Sequence, residues 1–157
     1  MTAPSILIVC SANICRSPVA EALLREKLEA AGHGDVTVTS GGTLGLDGAA
    51  AASHSVALLA ERGLDLRSHR SRSLDLPRLE GAALILGMEE GHVELIRHAR
   101  PALAGRIARL ADLAGEARDV PDPYGGPRSG YETMVADVDD LLERALPRIL
   151  AAVGRAG

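Results

Sequence analysis

The chain contains no tryptophan and no phenylalanine, and its aromatic residues are two tyrosines, Tyr124 and Tyr131. Its core must be built from Ala, Leu, Val and Ile. The stacking platforms that single-stranded nucleic acids need are missing. Cysteine is equally scarce: Cys10 and Cys15 are the only two, which does not read as the disulfide framework of a secreted domain. No window approaches the roughly 20 apolar residues of a membrane span, and the N-terminal MTAPSILIVC lacks a basic leader followed by a long apolar stretch. Seventeen Lys plus Arg oppose twenty-one Asp plus Glu, a formal charge of −4 that offers no general grip on nucleic acid or an acidic membrane. The five histidines show no metal-ligand spacing such as His-Glu-x-x-His. The expectation is a cytoplasmic protein, monomer or weak homodimer, with no metal, no cofactor, no nucleic acid partner and no membrane partner.

A chain of 157 residues is long enough for one domain that buries roughly two thirds of its unfolded surface. SILIVC, at 5–10, is a short continuous apolar run that fits a strand buried on both faces. A helical stripe follows over 18–31 (Ala20, Leu23, Leu24, Leu28, Ala31), and Gly32 ends it. VTVTS at 36–40, closed by Gly41 and Gly42, predicts a second strand, and 53–63 a helix stopped by Gly63. Residues 81–87 predict a third strand, 89–99 a helix, 106–110 a fourth strand, and about 130–153 the last helix. Between these last two lies a loop rich in Asp, Pro and Gly at 115–129. Strands alternating with helices predict an α/β fold: one doubly wound domain over 1–157, with a central four-stranded parallel sheet and helices on both faces. Ligands of such folds bind beyond the carboxyl ends of the strands.

The segment CSANICRSP, from Cys10 to Pro18, occupies that position. If the strand ends at Val9 and the helix starts near Pro18, the amides between them curl toward one point, an anion-binding concavity reinforced by the helix dipole. Proline in the first turn sacrifices no hydrogen bond, and Ser17 before it predicts an N-cap. Arg16 adds a planar fork that matches a tetrahedral oxyanion, so the pattern favours phosphate. A thiol at a helix N-terminus beside a guanidinium ionises more readily than a free one. Cys10 is therefore expected to be a thiolate nucleophile, passing a phosphoryl group through a phosphocysteine intermediate while the amides and Arg16 stabilise the equatorial oxygens.

The spacing, a cysteine and an arginine separated by five residues near the N-terminus and followed by Ser-Pro, resembles the signature of the low-molecular-weight protein tyrosine phosphatases. That family carries an acid in a distant Asp-Pro-Tyr segment, and this chain has VPDPYGG with Asp122, Pro123 and Tyr124. The resemblance continues through SGGT at 40–43, HRSRSL at 69–74, ALILGM at 83–88 and GYETMVADVDDLL at 130–142, nearly the whole chain. It implies that Cys10 is the nucleophile, that Arg16 holds the phosphate, and that Asp122 is the general acid and then the base. The phosphate loop would comprise Ser11, Ala12, Asn13, Ile14, Cys15 and Arg16. Ser17 would hydrogen-bond the thiolate, Asn13 would hold the loop's shape, and His69 would support it. Cys15 would either form a reversible disulfide that shelters Cys10 or pack beneath the loop. Tyr131 reads as core, Tyr124 as a wall of the pocket.

Three departures from the family pattern bear on substrate. Ala12 stands where glycine is common, Leu46 is the nearest equivalent of an aromatic residue beside the substrate ring, and Gly125 replaces a second tyrosine. Both losses of aromatic wall weaken the phosphotyrosine assignment, whereas Ile14 supports it, because phosphoarginine-hydrolysing relatives tend to carry threonine there. The implied activity is metal-independent hydrolysis of phosphotyrosine in a protein or peptide. The alternatives are another phosphatase substrate, such as phosphoarginine or a small aryl phosphate, and a non-catalytic phosphate-binding module. An arsenate reductase would need further cysteines downstream, and none follows Cys15.

Overall fold

A computed structural model describes residues 3–155; residues 1, 2, 156 and 157, which fall within the expected domain bounds, lie outside the described residues. Four parallel strands form one sheet: β1 Ser5–Cys10, β2 Thr37–Gly42, β3 Leu84–Gly87 and β4 Ile107–Arg109, in the order β2-β1-β3-β4. The helices are α1 Arg16–Ala30, α2 Ser53–Glu61, α3 Leu76–Gly81, α4 Glu90–Ala99, α5 Leu110–Leu113 and α6 Arg128–Ala152, with a 3-10 turn at Pro101–Arg106.

β1 is buried from Ile6 onward because it has neighbours on both edges and helices on both faces. The period of two divides its side chains between two cores. Ile6, Ile8 and Cys10 join Leu84 and Leu86 of β3 in packing against α1, α2 and α6 through Leu23, Leu24, Leu59, Val138 and Leu142. Leu7 and Val9 join Ile85 and Ile107 in a smaller cluster with Leu79 of α3 and Val93 and Ile96 of α4. With β2 and β3 flanking it on opposite sides, β1 sits where the chain's winding reverses, so its carboxyl end opens into the crevice between the two crossovers.

Several boundaries differ from the sequence expectation. α1 begins at Arg16, not near residue 18, and its N-cap is Cys15. Ser17 is therefore already inside the helix and caps nothing, because the hydroxyl is engaged with Cys10. The end of α1 follows the expected chemistry: Gly32 takes φ 86°, its N–H bonds Glu29 O, and the His33 N–H bonds Leu28 O, a Schellman closure. β3 is shorter than 81–87, since α3 occupies the residues up to Gly81. That helix starts where Asp75 accepts a bond from the Arg78 N–H at 2.9 Å. α3, α5 and the 3-10 turn have too few residues to show a period. β4 is three residues rather than five, and α6 starts two residues earlier than expected.

β2 runs through both glycines that were expected to close it. Gly41 pairs with Val9 and Gly42 with Cys10. A Cβ on Gly42 would lie 2.6 Å from Ser11 O, 3.0 Å from Ala12 C and 3.1 Å from Asn13 N, all backbone atoms of the segment after β1. That segment can approach only because residue 42 has no side chain. Gly42→Ala should therefore cost roughly 1–3 kcal/mol by overpacking. Urea unfolding of the two proteins measures the loss, and equal midpoints would refute it.

Candidate active site

The site forms where β1 gives way to α1. From Cys10 to Cys15 every carbonyl except that of Ala12 finds a donor on a neighbouring segment. Cys10 O accepts from Thr43 N at 3.0 Å, Ser11 O from Leu44 N at 2.9 Å and Ile14 O from Ala52 N at 2.8 Å. Cys15 O accepts from the Ser55 hydroxyl at 3.2 Å. Asn13 O lies 2.8 Å from His69 Nε2, which must carry the proton since a carbonyl can only accept. The N–H groups of residues 11–15 donate to no other backbone group among the described residues, which leaves them available to an anion. Such a nest of amides at the N-terminus of a 15-residue helix attracts anions.

Asn13 fixes the curl. It is fully buried with φ 62°, the one non-glycine residue with positive φ among those described. Its Nδ2 donates to Ser17 Oγ at 2.7 Å and Ser40 Oγ at 2.9 Å, while Oδ1 accepts from Arg72 N at 2.9 Å. Ala12 keeps negative φ, so its methyl group is accommodated.

Cys10 is 2% exposed, and its Sγ lies 2.9 Å from Ser17 Oγ. The same Ser17 Oγ accepts from Asn13 Nδ2, so the sulfur, Ser17 and Asn13 form one hydrogen-bonded chain. Cys15 is buried, 3.5 Å from the Tyr131 hydroxyl. Burial pushes the Cys15 thiol up and, with that thiol alongside, holds the Tyr131 phenol at about 12. Tyr131 lies in the core and packs against His54 with ring centroids 5.0 Å apart.

Arg16 is 1% exposed. Nη1 pairs with Glu89 Oε2 at 2.5 Å and donates to Val120 O at 2.8 Å, while Nη2 lies 3.6 Å from Asp122 Oδ2. Nε is buried and has no partner among the described residues. One edge of the guanidinium is thus held, and the other has donor capacity to spare.

Glu89 and His92 were not foreseen. Glu89, the N-cap of α4, accepts from the His92 backbone, and its own N–H donates to His92 Nδ1 at 3.1 Å. The second nitrogen, Nε2, lies 3.0 Å from Ser11 Oγ. A Glu-x-x-His pair at a helix start was the available signal, a variant of the capping box. Nothing local showed that it would face Arg16, 73 residues away. Burial holds the His92 imidazole below its ordinary range, with Arg16 acting in the same direction and Glu89, Asp119 and Asp122 opposing it.

Asp122 accepts from the Tyr124 N–H at 3.1 Å and stands beside Tyr124 at the mouth of a cavity of about 430 Å³. Cys10, Ser11, Ala12, Ile14, Cys15 and Arg16 form its floor, and Leu44, Leu46 and Tyr124 its walls. Leu44, 71% exposed, is a wall residue that the sequence did not single out. His69 lies behind the loop, away from the cavity lining. No group of three or more His, Cys, Asp or Glu side chains that could hold a metal ion occurs among the described residues.

A parallel α/β sheet whose first strand ends in a buried cysteine, followed by an amide nest and, after five intervening residues, an arginine, defines a cysteine-dependent phosphatase. The chain belongs to the low molecular weight phosphotyrosine protein phosphatases, whose family model matches residues 5–156. It is 35% identical over 147 residues to a probable low molecular weight protein-tyrosine-phosphatase, EpsP, of Ralstonia nicotianae, covering 94% of this chain and 97% of that one. It is 32% identical to a protein-arginine-phosphatase of Geobacillus stearothermophilus, covering 92% and 95%. The low molecular weight protein tyrosine phosphatase of T. tengcongensis superposes with a TM-score of 0.87 at 33% identity, covering 93% and 99%.

His92 is neutral in the fold, so the stability it contributes is complete above its ordinary value of 6.5 and is lost as pH falls from there toward its lower folded value. Unfolding free energies measured from pH 8 to 5 should fall more steeply for the wild type than for His92→Gln, and parallel profiles would contradict this.

Proposed function

We propose that this protein hydrolyses phosphotyrosine in protein or peptide substrates without a metal, through a phosphocysteine intermediate. The observation that carries the reading is Cys10 Sγ, held by Ser17 at the foot of a loop whose amides have no backbone acceptor among the described residues, beside a buried Arg16 with an unpartnered Nε. The substrate's phosphoryl oxygens take up the loop amides and the free edge of Arg16. Cys10 thiolate attacks phosphorus in line as the bond to the leaving oxygen breaks, and Asp122 gives that oxygen its proton. Asp122, now a carboxylate, takes a proton from water. That water attacks phosphorus, the S–P bond breaks, and phosphate and thiolate are released. The arginine and amides stabilise charge on the equatorial oxygens throughout.

The walls support an aryl ester. Ile14, Leu44 and Leu46 give apolar contact, and Tyr124 supplies the aromatic surface that Leu46 does not. A second reading, phosphoarginine, draws on the relative named a protein-arginine-phosphatase and on the aliphatic Leu46. A peptide panel carrying phosphotyrosine, phosphoserine or phosphoarginine distinguishes them, and phosphotyrosine should be hydrolysed fastest. We place residues 1–157 in one catalytic domain, monomeric or weakly dimeric. We assign it to the cytoplasm, a reducing compartment that keeps both cysteines as thiols.

Cys10→Ser should lower kcat by on the order of 10⁴-fold or more with a chelator present. An inactive wild type, or a fully active variant, would refute the mechanism. Asp122→Ala should lose about 10²- to 10⁴-fold on esters of poor leaving groups and far less on esters of good ones, which need no proton. Equal losses would remove Asp122 from the acid role. We also assign Cys15 as the partner of Cys10 under mild peroxide, which oxidises Cys10 to a sulfenic acid that condenses with the Cys15 thiol, releasing water. Mass spectrometry should show a disulfide that thiol reductant reverses; over-oxidised Cys10 alone would refute it.

A further inference from the structure

Ser11 is the first residue of the loop, and its hydroxyl has an unusual set of neighbours. The Glu89 N–H donates to His92 Nδ1 at 3.1 Å, so Nδ1 carries no proton. A neutral imidazole then bears its proton on Nε2, and Nε2 donates to Ser11 Oγ at 3.0 Å. Arg16 Nη2 approaches the same oxygen at 3.5 Å. Ser11 Oγ thus receives N–H groups on its lone-pair side from two buried side chains, His92 at 5% exposure and Arg16 at 1%. Its own proton has no acceptor among the described residues. Ser11 lines the cavity with Cys10, Arg16 and Asp122, and the cavity is the side left open to that proton.

We propose that Ser11 is a catalytic residue whose hydroxyl donates to the phosphoryl oxygen gripped by Arg16 Nη2, oriented for that purpose by His92 as a positioning residue. The assignment rests on the phosphatase reading and deepens it. The loop amides and Arg16 are joined by one side-chain donor, which matters most as negative charge accumulates on the equatorial oxygens. His92 does not reach the substrate. It acts by occupying the serine lone pair, so that the hydroxyl proton can point nowhere but inward. The buried neutral ring suits this task, since a doubly protonated imidazole could not accept from the Glu89 N–H.

The test compares inhibition by inorganic phosphate and kcat/KM on an aryl phosphate for the wild type, Ser11→Ala, Ser11→Thr, His92→Gln and the Ser11→Ala/His92→Gln double variant. Ser11→Ala should weaken phosphate inhibition about tenfold and lower kcat/KM by at least as much, the size of one hydrogen bond to a charged acceptor. Ser11→Thr, which keeps the hydroxyl, should restore most of both. A residue acting only through Ser11 adds nothing once the hydroxyl is gone, so the double variant should match Ser11→Ala within about twofold, whereas independent structural effects would multiply. Thermal unfolding of each variant confirms that folded protein is compared. Phosphate inhibition and turnover within twofold of wild type in Ser11→Ala would overturn the role of Ser11, and multiplicative losses in the double variant would overturn that of His92. Absence of both phosphate inhibition and turnover in the wild type would overturn the phosphatase reading and this assignment with it.

Discussion

A left-handed residue in the middle of a short loop costs an ordinary amino acid roughly 1–2 kcal/mol. At Asn13 that cost falls on the residue that sets the curl of the anion site. Asparagine tolerates the conformation better than most, but tolerance would not select one loop shape over its alternatives. Selection comes from the side chain, whose three hydrogen bonds tie the loop to α1 through Ser17, to β2 through Ser40 and to the 69–74 segment through the Arg72 N–H. Each contributes about 1 kcal/mol net, more if broken singly, because the abandoned partner is buried. The same Ser17 hydroxyl that Asn13 holds lies 2.9 Å from Cys10 Sγ. The shape of the anion nest and the environment of the sulfur therefore depend on one side chain.

The second constraint is electrostatic. A guanidinium at 1% exposure needs a counterion, and Glu89 supplies it from the first cap of α4. A carboxylate this close opposes an incoming phosphate dianion, so the pair lowers anion affinity relative to a bare arginine. In exchange, Nη1 is fixed by Glu89 and Val120 O, and the plane of the fork is set before any ligand arrives. Lysine could not divide its donors between a counterion on one edge and an oxyanion on the other.

The fold was readable because β1 is a continuous apolar run and α1 follows it with a helical stripe, and because Cys10, Arg16 and Ser17 fall at their junction. The catalytic candidates share that junction or, for Asp122, a proline-stiffened loop. Residues whose importance is purely tertiary were not readable. Glu89 and His92 look like an ordinary polar helix start until β3 is placed beside β1, and Ser40 looks like the end of a strand. Gly42 reads as a strand terminator, although its function is to let the Ser11 and Ala12 backbone pass within contact distance. The Ser17 error has a related cause. A serine before a proline scores as an N-cap on local grounds, yet the helix begins earlier and the hydroxyl is claimed by Cys10 and Asn13.

Rigidity is distributed unevenly around the cavity. The approach to Asp122 is tied down: Val120 N bonds Met88 O at 2.9 Å, Val120 O takes Arg16, and Asp119 bonds both the Glu90 N–H and Arg109. With Pro121 and Pro123 restricting the intervening φ angles, Asp122 has little freedom relative to Arg16. Beyond it Tyr124 is 69% exposed, and the chain turns at Gly125 with φ 79°. On the opposite wall Leu44 and Leu46 are likewise exposed. The reactive groups thus sit on elements braced to the sheet, and the exposed side chains of Leu44, Leu46 and Tyr124 stand out from the loops around them. Such a division would let wall residues be substituted without disturbing the phosphate site, and the proteins this chain resembles include one named a tyrosine-phosphatase and one named an arginine-phosphatase.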